Sequence, residues 1–320
     1  MKNFLPLRSV LLFAFLLAGG LTVSAQQLSL FSQYRESATI INPAAMESDW
    51  LTFGYNMNFG ANYRRQWAGQ ENTPETQTLR FSYINPNLRG ATLTTGAYLI
   101  NDQTGPTGYT GFYGRIGTVI GRNPDEAGLS VALSAGYVGY RVRGSELVLR
   151  EVGDVLAGVD QSQSHPDVGL GIYGYGYLAN DHMVYGGLSV PQLLGFDLTY
   201  ENDNGEYEVS RLRHYYAMAG WYWFTGRDSY LELSSWLKYV DGAPLHADFS
   251  ARYQLPTAPY LGAGLSSSGQ FHFEAGINVG QSYDAATNFR LGYSYGYAFT
   301  EFGPSFGGTH ELQLSVALSR

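Results

Sequence analysis

The chain has 320 residues, including 40 glycines, 26 tyrosines and 17 phenylalanines, and only 14% of its residues are charged. Because soluble domains carry about 25% charged residues and glycine weakens helices, this composition argues against a helical enzyme. The absence of cysteine excludes disulfide bonds, thiolate metal sites and cysteine nucleophiles. The net charge of −8, without a long run of lysine or arginine, argues against nucleic acid as a partner.

The N-terminus has the pattern of an export signal. Lys2 and Arg8 precede an apolar run at residues 10–17, and residues 23–25, Val-Ser-Ala, form a small-x-small cleavage site. A membrane anchor is the alternative, but the apolar run is shorter than the roughly 20 residues that a membrane helix needs. We therefore expect a signal peptide at residues 1–25 and an exported mature chain.

From residue 50 onward, apolar and polar residues alternate with a period of two. Leu312 and Leu314, for example, share one face, and Glu311 and Gln313 share the other, as expected for a β-strand with one apolar face. Most segments have about the length that a tilted strand needs to cross a bilayer. The 14 segments of this kind lie near residues 50–67, 75–84, 91–100, 107–120, 129–143, 168–178, 182–189, 211–224, 230–240, 245–253, 260–266, 270–279, 288–298 and 309–318.

The connections between these segments differ in length in a regular way. The two longest, near residues 144–167 and 190–210, follow odd-numbered segments. If both termini lie in the periplasm, loops after odd strands face outside and are allowed to be long. The sequence thus predicts an all-β fold, a transmembrane antiparallel outer-membrane β-barrel of about 14 strands over residues 50–320, in the cell outer membrane. Residues 26–49 are expected to form a periplasmic N-terminal segment or a plug.

A secreted soluble β-sandwich or propeller would show the same alternation. Such a protein needs a more strongly charged exterior than 14% charged residues can supply. In hydrocarbon, every backbone N–H and C=O must be paired within the protein, and a closed barrel satisfies this requirement. The composition therefore favours the membrane barrel.

Two glycine motifs match patterns of known chemistry. Residues 169–174 read G-x-G-x-x-G and residues 292–296 read G-x-S-x-G, but a dinucleotide site and a nucleophile elbow both require a strand followed by a helix. Both motifs lie inside alternating strands, and the six histidines show no metal-ligand spacing. The sequence therefore predicts no catalytic, cofactor or metal site.

Charged residues in the later strands are expected to face the barrel interior, because a charge on the lipid face costs about 2–4 kcal/mol at the bilayer midplane. An ion-pair network that fills the lumen is the favoured interpretation, and a channel lining is the alternative. His246 and Asp248 share a face and could form a hydrogen-bonded dyad, but a hydrolase would also need a nucleophile that the sequence does not place. The inward polar set consists of Glu232, Lys238, His246, Asp248, Arg252, Arg290 and Glu311.

Two further sets of residues are candidates for docking partners. Tyr34 and Asn42 precede the first strand, so they are expected to meet periplasmic partners or to enter the barrel. Arg64 and Arg65, next to Trp67, form a candidate docking patch. The alternative for this patch is solvated charge beside an aromatic girdle.

An ordered set of short motifs runs through nearly the whole mature chain. They are FSQY at residues 31–34, INPA at 41–44, YRRQWAG at 63–69, PETQT at 74–78, INDQTGP at 100–106, YGGLSVP at 185–191, RHYY at 213–216, LKYVDGAP at 237–244 and GGTHE at 307–311. In this order they resemble the PorP/SprF family of the type IX secretion system of Bacteroidota.

The resemblance implies a non-enzymatic outer-membrane barrel, without a cofactor, that supports type IX secretion or the linked gliding machinery. It implies that the chain contacts outer-membrane lipid, periplasmic secretion components and the C-terminal sorting domain of a secreted adhesin. A role in the secretion core and an adhesin-specific role both fit the resemblance. An outer-membrane channel or transporter with an open lumen is the alternative function.

Overall fold

The structure, a computed structural model, describes residues 31–88, 91–146, 160–179, 181–195, 197–202, 205–280, 285–299 and 303–319. The predicted signal peptide at residues 1–25 lies outside the described residues.

The described residues form sixteen β-strands, fourteen of which close into one antiparallel barrel. They are β1 Met57–Arg65, β2 Glu75–Leu88, β3 Ala91–Thr104, β4 Thr107–Ile120, β5 Ala127–Arg143, β6 Asp160–Ala179, β7 His182–Val190, β8 Asp197–Asn202, β9 Gly205–Ser210, β10 His214–Phe224, β11 Tyr230–Val240, β12 His246–Gln254, β13 Pro259–Ser266, β14 Gln270–Val279, β15 Thr287–Ala298 and β16 Thr309–Leu318. Closure comes from the pairing of β1 with both β2 and β16. β8 and β9 form a separate two-stranded sheet, so β7 pairs with β10. The predicted all-β barrel is confirmed.

The alternation of the sequence becomes the two faces of the barrel wall. On β16, Leu312 and Leu314 are exposed on the outside, whereas Glu311 and Gln313 are buried inside. An apolar outer face and a polar inner face suit a wall whose outside contacts hydrocarbon.

The longest connections lie at one end of the barrel. Residues 66–74, 144–159, 191–213 and 299–308 connect strands at the end where β1 stops, which we call the long-loop end. Connections at the end where β1 begins, such as residues 121–126 and 255–258, are short, and we call this the short-turn end. In outer-membrane barrels, long loops face outside and short turns face the periplasm.

Two stretches near the long loops differ from the prediction. β6 begins at Asp160 rather than near residue 168, and it pairs there with the end of β5. Its first residues are mostly polar, so they carry no apolar alternation from which a strand could be predicted. Residues 197–210, which were expected to be loop, contain β8 and β9.

Residues 31–56 run inside the barrel, and we call them the internal segment. They include two short helices, α1 (Ala38–Ile41) and α2 (Ser48–Phe53), whose residues are all buried. Because of α2, β1 begins at Met57 rather than near residue 50, where the alternation predicted its start.

The internal segment crosses the lumen lengthwise. The Ser32 N–H donates to Glu311, which lies opposite Arg64 near the long-loop end. The Tyr55 hydroxyl donates to the carbonyl oxygen of Gly280, which follows β14 at the short-turn end. The remaining short helices, a 3-10 turn at Gly144–Glu146 and α3 at Gly303–Phe306, lie in connections. No helix within the described ranges has the length and apolar composition to cross a membrane.

Candidate functional site

The inward charges predicted from the sequence lie inside the barrel, and several of them pair with the internal segment. Glu232, Arg252, Arg290 and Glu311 are each at most 1% exposed. Most of their partners were missed by the sequence analysis, because they lie in a segment without strand periodicity. The partners in this segment are Arg35, Glu36 and Asp49, and a further partner, Glu274, lies on strand β14.

Glu36 joins two strands at the centre of this network. Its carboxylate oxygens accept hydrogen bonds from Arg252 at 2.5 Å and from Arg290 at 2.6 Å. Burial opposes ionisation of Glu36, but Arg290 and Arg252 outweigh burial, so the pKa of this carboxyl lies well below its usual range. Arg290 also donates to Asp49 at 2.6 Å, which ties α2 to β15.

Arg35 makes the opposite connection, from a cation on the internal segment to carboxylates on the wall. Its guanidinium contacts Glu232 of β11 at 3.2 Å and also contacts Glu274. Glu274 in turn accepts a hydrogen bond from Arg252 at 3.0 Å. Two successive residues of the internal segment, Arg35 and Glu36, therefore bridge β11, β12, β14 and β15.

Glu311 fixes the start of the internal segment. It accepts hydrogen bonds from the backbone N–H groups of Ser32 at 2.6 Å and Gln33 at 3.2 Å, and from the side chain of Asn62 at 2.8 Å. Charge-assisted hydrogen bonds to a carboxylate are stronger than neutral ones. The first described residues of the internal segment are thus held against β16 and β1.

A different kind of contact joins the internal segment to β6 and β7. The Asn42 carboxamide donates to the carbonyl oxygens of Ile172 at 3.0 Å and Leu188 at 3.4 Å. It reaches them because the wall carries Gly171 and Gly187 at this level, and a Cβ on Gly187 would lie only 2.7 Å from Asn42 Nδ2. These glycines are needed for close approach to the backbone.

Two more wall residues bind the backbone of the internal segment. Arg115 of β4 donates to the carbonyl oxygens of Pro43 at 2.8 Å and Ala45 at 3.1 Å. Ser189 of β7 donates to the carbonyl oxygen of Ile41 at 2.8 Å. Buried backbone carbonyl groups that lie outside regular secondary structure need such hydrogen-bond partners.

The cavities described between the internal segment and the wall are the size of one or two water molecules. Three of them have volumes of about 10, 20 and 30 Å³. A cavity needs about 10–15 Å³ to hold one water. The internal segment therefore fills the lumen at the levels that it occupies.

The remaining inward residues form a second cluster at the long-loop end. Lys238 contacts Asp248 at 2.6 Å, and His246 Nδ1 lies 3.6 Å from the same carboxylate oxygen. His246 Nε2 lies 3.0 Å from the hydroxyl oxygen of Ser266, a residue that the sequence analysis did not select. Within the described ranges, no group of three or more histidine, aspartate or glutamate side chains is placed to hold a metal ion.

The structure separates the five docking candidates. Tyr34 and Asn42 are buried, and Tyr34 contacts Ser234 of β11 at 2.9 Å between the two hydroxyl oxygens. Arg64 also faces the lumen and is only 3% exposed. These three residues contact the barrel itself, and their part in docking stays a prediction.

Arg65 and Trp67 lie at the surface of the long-loop end. Arg65 contacts Glu75 at 3.5 Å, and its side chain remains 40% exposed. Trp67 has a left-handed backbone, with φ of 54°, and its ring packs on Phe306 with 6.0 Å between centroids. Backbone bonds from Ala68 to Gly308 and from Gly69 to Phe306 join these two loops into one rim, which we call the Trp67 rim.

Comparison with known proteins identifies related families and folds. A family model described as the type IX secretion system membrane protein PorP/SprF matches residues 23–316. No curated protein gives a significant match to the sequence.

Several solved barrels are similar in structure. The toluene transporter TbuX of Ralstonia pickettii is 8% identical, with 88% of this chain and 92% of that chain covered and a TM-score of 0.52. The translocator domain of the autotransporter NalP from Neisseria meningitidis is 14% identical, with 90% and 98% covered and a TM-score of 0.51. At these identities the likeness shows the fold alone. The family match and the barrel fold together place the chain in the outer membrane.

Proposed function

Because the chain belongs to the PorP/SprF family of type IX secretion system membrane proteins, we propose that it serves this system as a docking component. Its contribution to secretion is made through its surfaces, by holding secretion components or secreted proteins at the outer membrane. It requires neither an open transport path through the barrel nor a catalytic step on the secreted protein.

The filled lumen is the observation that carries this proposal. The internal segment is bonded to the wall by paired charges around Glu36 and by backbone contacts around Asn42. Withdrawing it would break all of these contacts together and expose buried apolar side chains of the segment, such as Ile41 and Met46, to water, which is unfavourable. A barrel that is closed in this way is a rigid platform, so its loops and turns are the parts available to partners.

The Trp67 rim is the proposed contact surface for a secreted partner, because it lies at the long-loop end. Its loops are held together by backbone hydrogen bonds. Trp67 has a strained left-handed backbone, and strained residues of this kind are common at functional sites. The short turns at the other end are the proposed contact surface for periplasmic components.

Affinity capture from intact outer membranes tests the docking proposal. We expect the wild-type chain to copurify with type IX components or with a secreted adhesin, and we expect an Arg65→Ala, Trp67→Ala double variant to lose the secreted protein. Tyr239→Ala is the control, since Tyr239 is 46% exposed at the same end of the barrel but faces outward from β11. Capture of no secretion component or secreted protein by the wild type would argue against docking.

Conductance measurements test the closed lumen and the alternative channel. We expect the wild-type chain to give silent planar bilayers after reconstitution. Steady ion conductance from the wild type would instead favour the open outer-membrane channel or transporter.

A further inference from the structure

The cluster at the long-loop end contains the three residue types of a serine hydrolase. Asp248 and Ser266 are directly opposite each other on β12 and β13, and His246 lies two residues before Asp248 on the same inner face. The Ser266 hydroxyl oxygen is 3.0 Å from His246 Nε2, and His246 Nδ1 is 3.6 Å from Asp248. Serine faces one ring nitrogen and aspartate faces the other, which is the order that such a triad requires.

From this geometry we propose that Ser266 is a nucleophile activated by His246, and that the site hydrolyses small carboxylic esters. With its proton on Nδ1, toward Asp248, the imidazole accepts a hydrogen bond from Ser266 through Nε2. His246 is then the general base, and Asp248 becomes a positioning residue that fixes the tautomer when the 3.6 Å gap to Nδ1 tightens to a hydrogen bond on substrate binding. Asp248 also contacts Lys238, whose ammonium nitrogen lies 2.6 Å from its carboxylate.

The reaction balances with water as the co-reactant. Ser266 Oγ attacks the ester carbonyl carbon while its proton passes to His246 Nε2. The alcohol leaves with that proton, and an acyl group remains bonded to Ser266. Water, deprotonated by His246, then attacks the acyl carbon, so that the carboxylic acid is released and the serine hydroxyl is restored.

Nearby cations suit the negative charge that develops on the carbonyl oxygen. Arg64 and Lys238 line the same small cavity as Ser266. The Ser268 N–H donates to Ser266 Oγ itself at 3.4 Å, and the Ser268 hydroxyl oxygen lies 2.9 Å from the same atom, so these contacts orient the nucleophile. Preorganised donors beside the nucleophile are the usual means of stabilising an oxyanion.

Access and size define the substrate class. The His246 side chain is 22% exposed, and Ser267 and Ser268 at the adjoining turn are exposed, so the site opens toward the long-loop end. The cavity beside Ser266 has a volume of about 20 Å³ and is bounded by Phe31 of the internal segment. A cavity of this size holds about one water molecule, the co-reactant of the second step, so the ester has to approach from the open side and a long acyl chain finds no buried space there.

Covalent labelling of the folded full chain tests the proposal. We expect a fluorophosphonate probe to form one adduct, mapped by mass spectrometry to Ser266, and to form none with Ser266→Ala. His246→Gln should slow labelling by about 100-fold or more. Ser267→Ala is the matched control from the same turn and should label at the wild-type rate.

Ester hydrolysis and a folding control complete the test. The wild type should hydrolyse p-nitrophenyl acetate faster than Ser266→Ala does, with little activity on p-nitrophenyl decanoate. The gel mobility shift on boiling reports folding of each variant, and boiled wild-type chain should not label. An unlabelled folded wild type, or equal labelling of wild type and His246→Gln, would show that Ser266 only fills space among polar neighbours.

The outcome is separable from the docking proposal. Ser266 lies inside the barrel mouth and apart from the Trp67 rim residues that the capture experiment changes. Ser266→Ala should therefore copurify with the same partners as the wild type. If Ser266→Ala loses labelling by the probe but still copurifies with the same partners, both proposals are supported.

Discussion

Two walls of the barrel hold the internal segment by different interactions. The first, formed by β11, β12, β14, β15 and β16, uses ionised side chains such as Arg252 and Arg290, and we call it the ion-pair wall. The second is formed by β4, β6 and β7, and we call it the backbone wall. Its hydrogen bonds involve backbone carbonyl groups, either those of the internal segment, as for Ser189, or those of the wall itself, as for Asn42.

The difference shows how one segment is both fixed in place and closely packed. On the ion-pair wall, each guanidinium or carboxylate is buried, so removing either partner leaves an uncompensated charge. On the backbone wall, apart from those of Arg115, the contacts are between neutral groups and individually weaker, but they require the closest approach between backbones, which the glycines at 171 and 187 permit. We therefore expect mutations on the first wall to cost more stability and to depend on pH, and those on the second to depend on side-chain size.

The largest effect is expected from Arg290→Met. This change removes the cation that contacts both Glu36 and Asp49, and it leaves two buried carboxylates with fewer partners. We expect a loss of about 3–5 kcal/mol in the free energy of unfolding. Urea unfolding in detergent, followed by tryptophan fluorescence, measures it.

Arg65→Met is the control for that change. Arg65 also pairs with a glutamate, Glu75, but the two side chains are 40% and 35% exposed. An exposed pair is worth less than about 1 kcal/mol. Equal losses in the two variants would contradict the special role of the ion-pair wall.

The second effect is a pH dependence that originates in Glu36. This residue belongs to the internal segment, and its pKa is lowered in the folded chain by Arg290 and Arg252 against the effect of burial. Its stabilising contribution is therefore complete above the unfolded pKa of about 4.3 and is lost as the pH falls through the lower folded pKa, at about 1.4 kcal/mol per pH unit. Unfolding measured from pH 6 to pH 3 should show a steeper loss for the wild type than for Glu36→Gln, and identical slopes would refute this assignment.

The third effect tests the backbone wall through Gly171→Ala. A Cβ at this position would overlap Asn42 Oδ1 and lie 3.1 Å from the Ala44 nitrogen. Overpacking of this kind costs about 1–3 kcal/mol, and here it should not change with pH. Gly174→Ala on the same strand is the control, because its Cβ would meet no heavy atom closer than 4.0 Å. A loss in Gly174→Ala as large as in Gly171→Ala would point to strand propensity instead of the Asn42 contact.

The barrel and its inward face could be predicted from the sequence because both follow from local periodicity. Each strand alternates, and the cost of charge in hydrocarbon fixes which face turns inward. The partners of those charges could not be predicted in the same way. Glu36 and Arg290 are 254 residues apart, and Glu36 lies in a segment with neither strand nor long helical periodicity. Only the closed barrel brings them together.

The site around Ser266 could be predicted from the sequence only in part. His246 and Asp248 were identified as sharing a face, but the nucleophile was not placed. Ser266 lies 20 residues from His246, at the far end of the next strand. The hairpin register that pairs Asp248 with Ser266 depends on the turn at residues 255–258, whose conformation the sequence pattern does not specify. A one-residue shift would have turned Ser266 to the lipid face.

The smallest effect, and the sharpest test of whether the two walls act independently, is expected from Ser189→Ala. This change removes one neutral hydrogen bond to the Ile41 carbonyl, so we expect a loss of about 1 kcal/mol. Ser189 and Arg290 share no partner among the described contacts, so the double variant Ser189→Ala, Arg290→Met should lose the sum of the single losses to within about 0.5 kcal/mol. A larger coupling, measured by the same urea unfolding, would mean that the internal segment shifts as one body when the ion-pair wall is broken, since the hydrogen bond of Ser189 would then already be lost in Arg290→Met.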